Sequence, residues 1–163
     1  MHAAGVTRDR TLARMSSAEW RAALQVNAAA PLALDAALAR AARLSRGASL
    51  VYFGSTSGLA GNAGQANYAA AKAALGGAAR ARRESGEGGG PVSCNVIAPG
   101  FIRTQMTARV PLATRIVGAR LNALGQAGEP RDVAGAVAFL CGRGSRGVNG
   151  QVLRVCGGFM GGR

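Results

Sequence analysis

The sequence has one histidine, His2, and one lysine, Lys72; every other basic residue is arginine. Its three cysteines, Cys94, Cys141 and Cys156, are widely spaced and form no Cys-x-x-Cys pair. One histidine and no paired cysteines argue against a structural zinc site. The same cysteine usage fits a reduced, cytoplasmic protein with buried thiols. Aromatic residues are scarce, at 4%, and none alternates with basic residues as a base-stacking surface would require. A nucleic-acid partner is therefore not expected, although the net charge of +13 would suit a polyanion. The arginines are dispersed, apart from the cluster ARARRES (79–85). No unbroken apolar run has membrane-spanning length: the best, AAAPLAL, stops at Asp35. The opening MHAAGVTRDR has no apolar core of a signal peptide. Neither a membrane span nor secretion is expected.

With 48% hydrophobic and 17% charged residues, the chain has the composition of a folded globular protein. MSSAEWRAALQV opens a helix, with Ser16 and Glu19 at capping-box spacing. A second helix is predicted from Pro31 to about Leu44, closed by Gly47. ASLVYFGS (48–55) and PVSCNVIAPG (91–100) read as strands buried on both faces, as in a parallel sheet. Residues 67–83 form a helix between them, followed by a loop, ESGEGGG (84–90). Helical parts are predicted around 111–123, and a helix begins at Pro130. GQVLRVCGG (150–158) is a last strand. This alternation predicts an α/β fold: a Rossmann-like parallel sheet with helices on both faces and right-handed crossovers. No Gly-x-Gly-x-x-Gly turn follows a strand and opens a helix.

Tyr68 and Lys72 stand four residues apart on a predicted helix, so their side chains share a face. A lysine ammonium beside a phenol favours the phenolate, which makes tyrosine a usable general acid and base. Lysine supplies a compact point charge where arginine supplies a rigid fork. The alternative is a lone lysine on a solvated face. Ser55 ends the buried strand LVYFGS, on the side where open α/β sheets bind ligands. Its hydroxyl can donate to an oxygen that gains negative charge. A plain Ser/Gly turn would look the same. Asn27 is a poor helix interior residue, which hints at a role, a kink or a local backbone bond.

GSTSGLAGNAGQANYAAAKAAL, HAAGVTRDRTLARM, CNVIAPGFIRTQMT, GEPRDVAGAVAFL and GQVLRVCGGFM together resemble the short-chain dehydrogenase/reductases. The likeness spans essentially the whole chain. It is nearest to the 3-oxoacyl-(acyl carrier protein) reductases and, in VPLATRIVGARLNALGQAG and VLRVCGG, to their high-molecular-weight branch. The resemblance implies a catalytic tetrad of Asn27, Ser55, Tyr68 and Lys72. It implies NADPH or NADH as cofactor and reduction of a 3-oxoacyl thioester, carried on acyl carrier protein or CoA, in fatty acid biosynthesis. Tyr68 would protonate the carbonyl oxygen and Ser55 would hold it. Lys72 would bind the nicotinamide ribose, and Asn27 would hold a water behind Lys72. Gly5, Pro99, Gly100, Ile102 and Thr104 would line the cofactor, with Gly5 toward its adenosine side. Residues 101–124 would form a mobile flap over the substrate.

The same resemblance makes residues 1–163 the C-terminal, catalytic part of such a domain, with the N-terminal cofactor-binding part missing. The chain alone is then expected to be inactive or very weak, and a homo-oligomer if complete. A related dehydrogenase for a secondary alcohol or hydroxysteroid would share the tetrad. A silent dimerisation piece, packing through the alanine-rich YAAAKAALGGAARA, is the non-enzymatic alternative. Arg46, Arg80, Arg82 and Arg83 are candidates for docking an acidic carrier near the site entrance.

Overall fold

A computed structural model of the chain describes residues 1–85, 92–108 and 110–159. Three strands, β1 (Ser49–Phe53), β2 (Ser93–Pro99) and β3 (Val152–Val155), form one parallel sheet in the order β1-β2-β3. The register pairs Ser49 with Ser93 and Val96 with Val152. His2 bridges Tyr52 in parallel, so the first residues of the chain lie along the outer edge of β1.

Side chains alternate across each strand, and both faces are covered. Leu50, Tyr52, Cys94 and Val96 join Leu75 and Ala79 of α4 (Ala66–Ser85) in one core cluster. Val51 and Ile97 join Val133 and Leu140 of α7 (Pro130–Cys141) in the other. Each crossover helix thus buries its apolar stripe against one face of the sheet, which is why these strands read as continuous apolar runs. The predicted strands hold but are shorter than their apolar runs, and Pro91 lies outside the described residues. Cys94 and Cys156 are buried as expected, whereas Cys141 at the end of α7 is exposed.

The two helices expected at the front of the chain are one. α1 (Ser17–Leu24) and α2 (Ala30–Arg40) are joined without a break by a π-helical turn, Gln25–Ala29, centred on Asn27. The Ser16–Glu19 capping box starts it. Pro31 is tolerated because the wider turn before it has already rearranged the backbone hydrogen bonds that proline would break. The helix ends at Arg40 and the chain turns at Ala42 (φ 51°), ahead of the predicted stop; Gly47 serves the later turn into β1. The joined helix, Ser17–Arg40, is by length and composition apolar enough to cross a membrane, with a mean hydropathy of 1.3. It buries Ala23, Asn27, Ala28 and Asp35 against the rest of the protein.

Candidate active site

Four segments meet at the C-terminal end of β1. The strand itself ends at Phe53, and Gly54 follows so closely against β2 that a Cβ there would stand 2.8 Å from Val96 Cγ1. Ser55 then caps α3 (Thr56–Ala60), its hydroxyl oxygen accepting from the Ser57 N–H at 3.1 Å. What could be read as a plain Ser/Gly turn is a short helix packed on α4. Its Gly58 sits where a Cβ would be 2.9 Å from the Lys72 and Ala73 backbone, and this contact fixes Ser55 relative to Lys72.

Tyr68 and Lys72 lie in the first turns of α4, on the face turned to this strand end. Lys72 is 7% exposed, and its ammonium donates to the Phe53 carbonyl oxygen at 2.7 Å. It stands 5.6 Å from the centre of the Tyr68 ring. Burial holds the Lys72 ammonium down at a pKa of about 8. Burial is also the largest influence on Tyr68 and raises its pKa, with the Asp9 charge adding to the rise and the Ser55 hydroxyl opposing it. The expected lowering of the Tyr68 pKa by Lys72 is therefore not what this arrangement gives. The ammonium is turned to a backbone carbonyl, and desolvation of the phenol dominates.

Asn27 projects from the π turn into the same region and is 1% exposed. Its amide donates to the Val6 and Ala23 carbonyl oxygens, both at 2.8 Å, and its Oδ1 accepts from the Val6 N–H at 3.1 Å. The wider π turn aims this side chain at the chain edge. Gly5 lies between the polar groups: a Cβ there would stand 3.0 Å from Asn27 Oδ1 and 3.9 Å from Lys72 Nζ. All four tetrad residues and Gly5 are thus gathered from positions spread over the first half of the chain.

The other expected contacts lie at the end of β2. Pro99 closes the strand, and Gly100 meets Cys156 so closely that a Cβ would be 2.8 Å from Cys156 Cβ. Ile102 is buried and bridges Gly128. Thr104 is exposed and exchanges hydrogen bonds with Thr107 at the start of α5 (Gln105–Ala108). α6 (Leu112–Arg120) follows, with Leu112 and Ile116 exposed. Phe101, Thr104, Leu112, Arg115 and Ile116 line an open cleft of about 700 Å³. None of the tetrad residues lines this cleft.

Two residues with a part in the site were not singled out in the sequence. Asn67 is fully buried beside Tyr68 and ties α4 to the Arg8 and Glu19 carbonyls at 3.0 and 3.2 Å. Asp35 is 1% exposed and binds His2 and Tyr52. The signal for Asp35 was present: a carboxylate inside an apolar helical run calls for a partner.

The arginines proposed for carrier docking are elsewhere within one chain. α4 runs back from the strand C-terminal ends, so Arg80 lies roughly 18 Å beyond Tyr68 along the helix, and Arg83 packs on Gly150, ahead of β3. Arg46 precedes β1. The ARARRES cluster and Arg46 thus lie toward the pole opposite the tetrad, together with Arg40, Arg43, Arg143 and Arg146 at the ends of the other crossovers.

A family model described as enoyl-(acyl carrier protein) reductase matches residues 1–160. The chain is 39% identical over 157 residues to the 3-oxoacyl-[acyl-carrier-protein] reductase of Vibrio cholerae, covering 95% of this chain and 63% of that protein. It is 38% identical over 159 residues to the (3R)-3-hydroxyacyl-CoA dehydrogenase of Mus musculus, covering 96% and 61%. The chain therefore spans less than two thirds of the length of these relatives. A crystal structure of the angucycline C-6 ketoreductase LanV with bound NADP shares the fold, with a TM-score of 0.84 at 23% identity over 96% of this chain and 60% of that one. With its parallel sheet and the family match over nearly its whole length, the chain belongs to the short-chain dehydrogenase/reductases.

Proposed function

We propose that this site reduces the ketone of a 3-oxoacyl thioester, with NADPH or NADH as hydride donor. The observation that carries the reading is the placement of one buried ammonium, Lys72, beside the Tyr68 ring at the end of β1, with the Ser55 hydroxyl acting on the phenol. The relatives named above act, by their names, on 3-oxoacyl and 3-hydroxyacyl substrates, which supports the thioester over a steroid or simple alcohol.

The residues fit the nicotinamide end of such a cofactor. An ammonium has three donors, and Lys72 gives one to Phe53, which leaves donors for ribose hydroxyls. Gly5 leaves room for Asn27 beside Lys72: a Cβ there would stand 3.0 Å from Asn27 Oδ1 and 3.9 Å from Lys72 Nζ. The sequence's Gly-x-Gly-x-x-Gly pattern, GRGSRG (142–147), follows α7 and precedes β3, so it does not open a helix after a strand as a pyrophosphate turn does. When bound, the cofactor supplies the hydride. Tyr68 donates its proton to the substrate oxygen as charge develops there, and Ser55 holds that oxygen by a hydrogen bond. Lys72 keeps positive charge next to the phenolate that Tyr68 becomes. Asn27 fixes the Gly5–Val6 turn that borders Lys72. A fatty-acid biosynthetic role, with the substrate on an acidic carrier protein and the chain in a homo-oligomer, follows from the same reading.

The test of substrate class is a direct comparison of acetoacetyl-CoA with a 3-oxosteroid. The reading requires a higher kcat/KM for acetoacetyl-CoA; preference for the steroid would refute it.

A further inference from the structure

The chain's only histidine is not at the tetrad. His2 Nε2 lies 2.7 Å from Asp35 Oδ1, and the Tyr52 hydroxyl donates to Asp35 Oδ2. The His2 and Tyr52 rings are stacked, 6.0 Å between centres and 25° apart in plane. Asp35 and Tyr52 are 1% and 2% exposed, and the His2 side chain is 16% exposed. A carboxylate this deep persists only where donors satisfy it. Here both oxygens have one, each from a different segment.

Those segments also border the tetrad. Asp35 is on the same helix as Asn27, Tyr52 precedes the Phe53 whose carbonyl receives Lys72, and His2 leads into Gly5 and Val6. The helix therefore grips the chain's first residues at two points: Asp35 on His2 and Asn27 on Val6. The spacings agree. An extended chain advances about 13 Å from residue 2 to residue 6, and a helix advances about 12 Å from residue 27 to residue 35. The helix and segment run in opposite directions, so both grips close at once. Arg82 faces the same buried corner from α4 and its charge opposes the rise that burial and Asp35 impose on the Tyr52 pKa; Cys94 of β2 faces it as a buried thiol.

We propose that His2, Asp35 and Tyr52 form a positioning triad for the active site, which locks the 2–6 segment and the end of β1 to the helix and so sets where Gly5 and Lys72 stand. The triad touches neither substrate nor cofactor. Its value to catalysis rests on the reading of the tetrad given above, but its existence does not.

The sole histidine and the sole lysine make the test selective. The full, untagged chain is labelled with 15N-histidine and 15N-lysine and observed by NMR, with no turnover required. In the wild type, Asp35 Oδ1 accepts from His2, so Nε2 carries a proton, and that proton exchanges slowly. Asp35→Asn is expected to speed this exchange about tenfold and to shift the Lys72 Nζ signal. Tyr52→Phe, which keeps the ring and removes one donor, shifts Lys72 Nζ without abolishing the His2 signal. Asp132→Asn, at the start of α7, leaves both signals in place. The proposal is overturned if Lys72 Nζ is unmoved in a folded Asp35→Asn or Tyr52→Phe protein. A wild-type His2 that populates both tautomers and exchanges as a free imidazole overturns it equally. Failure of acetoacetyl-CoA reduction with these NMR results intact would count against the reaction and not against the triad.

Discussion

At the scale of the residue, Lys72 is where cost and use meet. Burial depresses its pKa from 10.5 to about 8, so the folded protein pays for a charge that the unfolded chain carries freely. Below pH 8 both states hold the proton, and the penalty is present in full. Between pH 8 and 10.5 the folded state has released the proton and the unfolded state has not, so stability relative to a chain without this lysine rises with pH. The expected gain across that window is roughly 3 kcal/mol. Urea denaturation of the wild type and Lys72→Met at several pH values checks it. The difference between the two curves isolates Lys72 from Cys94, whose burial raises its thiol pKa to about 11 and works in the opposite direction. A pH-independent difference would mean that the ammonium is solvated. The tyrosine–lysine pair itself was legible from its four-residue spacing. Its electrostatics were not, because the Phe53 carbonyl that receives Lys72 and the burial of Tyr68 are products of the tertiary fold.

At the scale of the element, the strands and the long α4 could be read because continuous apolar runs between glycine, proline and serine turns have few other meanings. The front helix could not be read as one piece. Pro31 signals a start, and only the π turn around Asn27 explains how a helix passes through it. Asparagine's poor fit to a helix interior did mark the place. The α3–α4 contact shows a similar limit: GSTSG gives no sign that Gly58 is pressed on the Lys72 backbone. A Gly58→Ala change adds a Cβ 2.9 Å from backbone atoms that cannot yield easily. It should cost about 1–3 kcal/mol in chemical denaturation and displace Ser55 from Tyr68. A neutral or stabilising effect, as helix propensity alone would give, would show that the two helices are not locked together.

At the scale of the whole molecule, charge and chemistry separate. The tetrad gathers at the C-terminal ends of the strands, and a large share of the arginines gathers at the other pole. The sequence showed the +13 charge, but it could not show this sorting, which depends on three crossovers ending side by side. Arginines at helix C-termini are favourable for the helix dipole in their own right. Reversing Arg43 and Arg80, both exposed, is therefore expected to leave kcat and KM for acetoacetyl-CoA unchanged within a single chain. A large rise in KM for this small substrate would place these side chains at the site through a neighbouring copy.

The most direct measurement of the central claim is acetoacetyl-CoA-dependent oxidation of NADPH by the wild-type chain and by Tyr68→Phe, side by side. The account predicts that Tyr68→Phe lowers the rate by about 100-fold or more. Equal rates above background in the two proteins would contradict it.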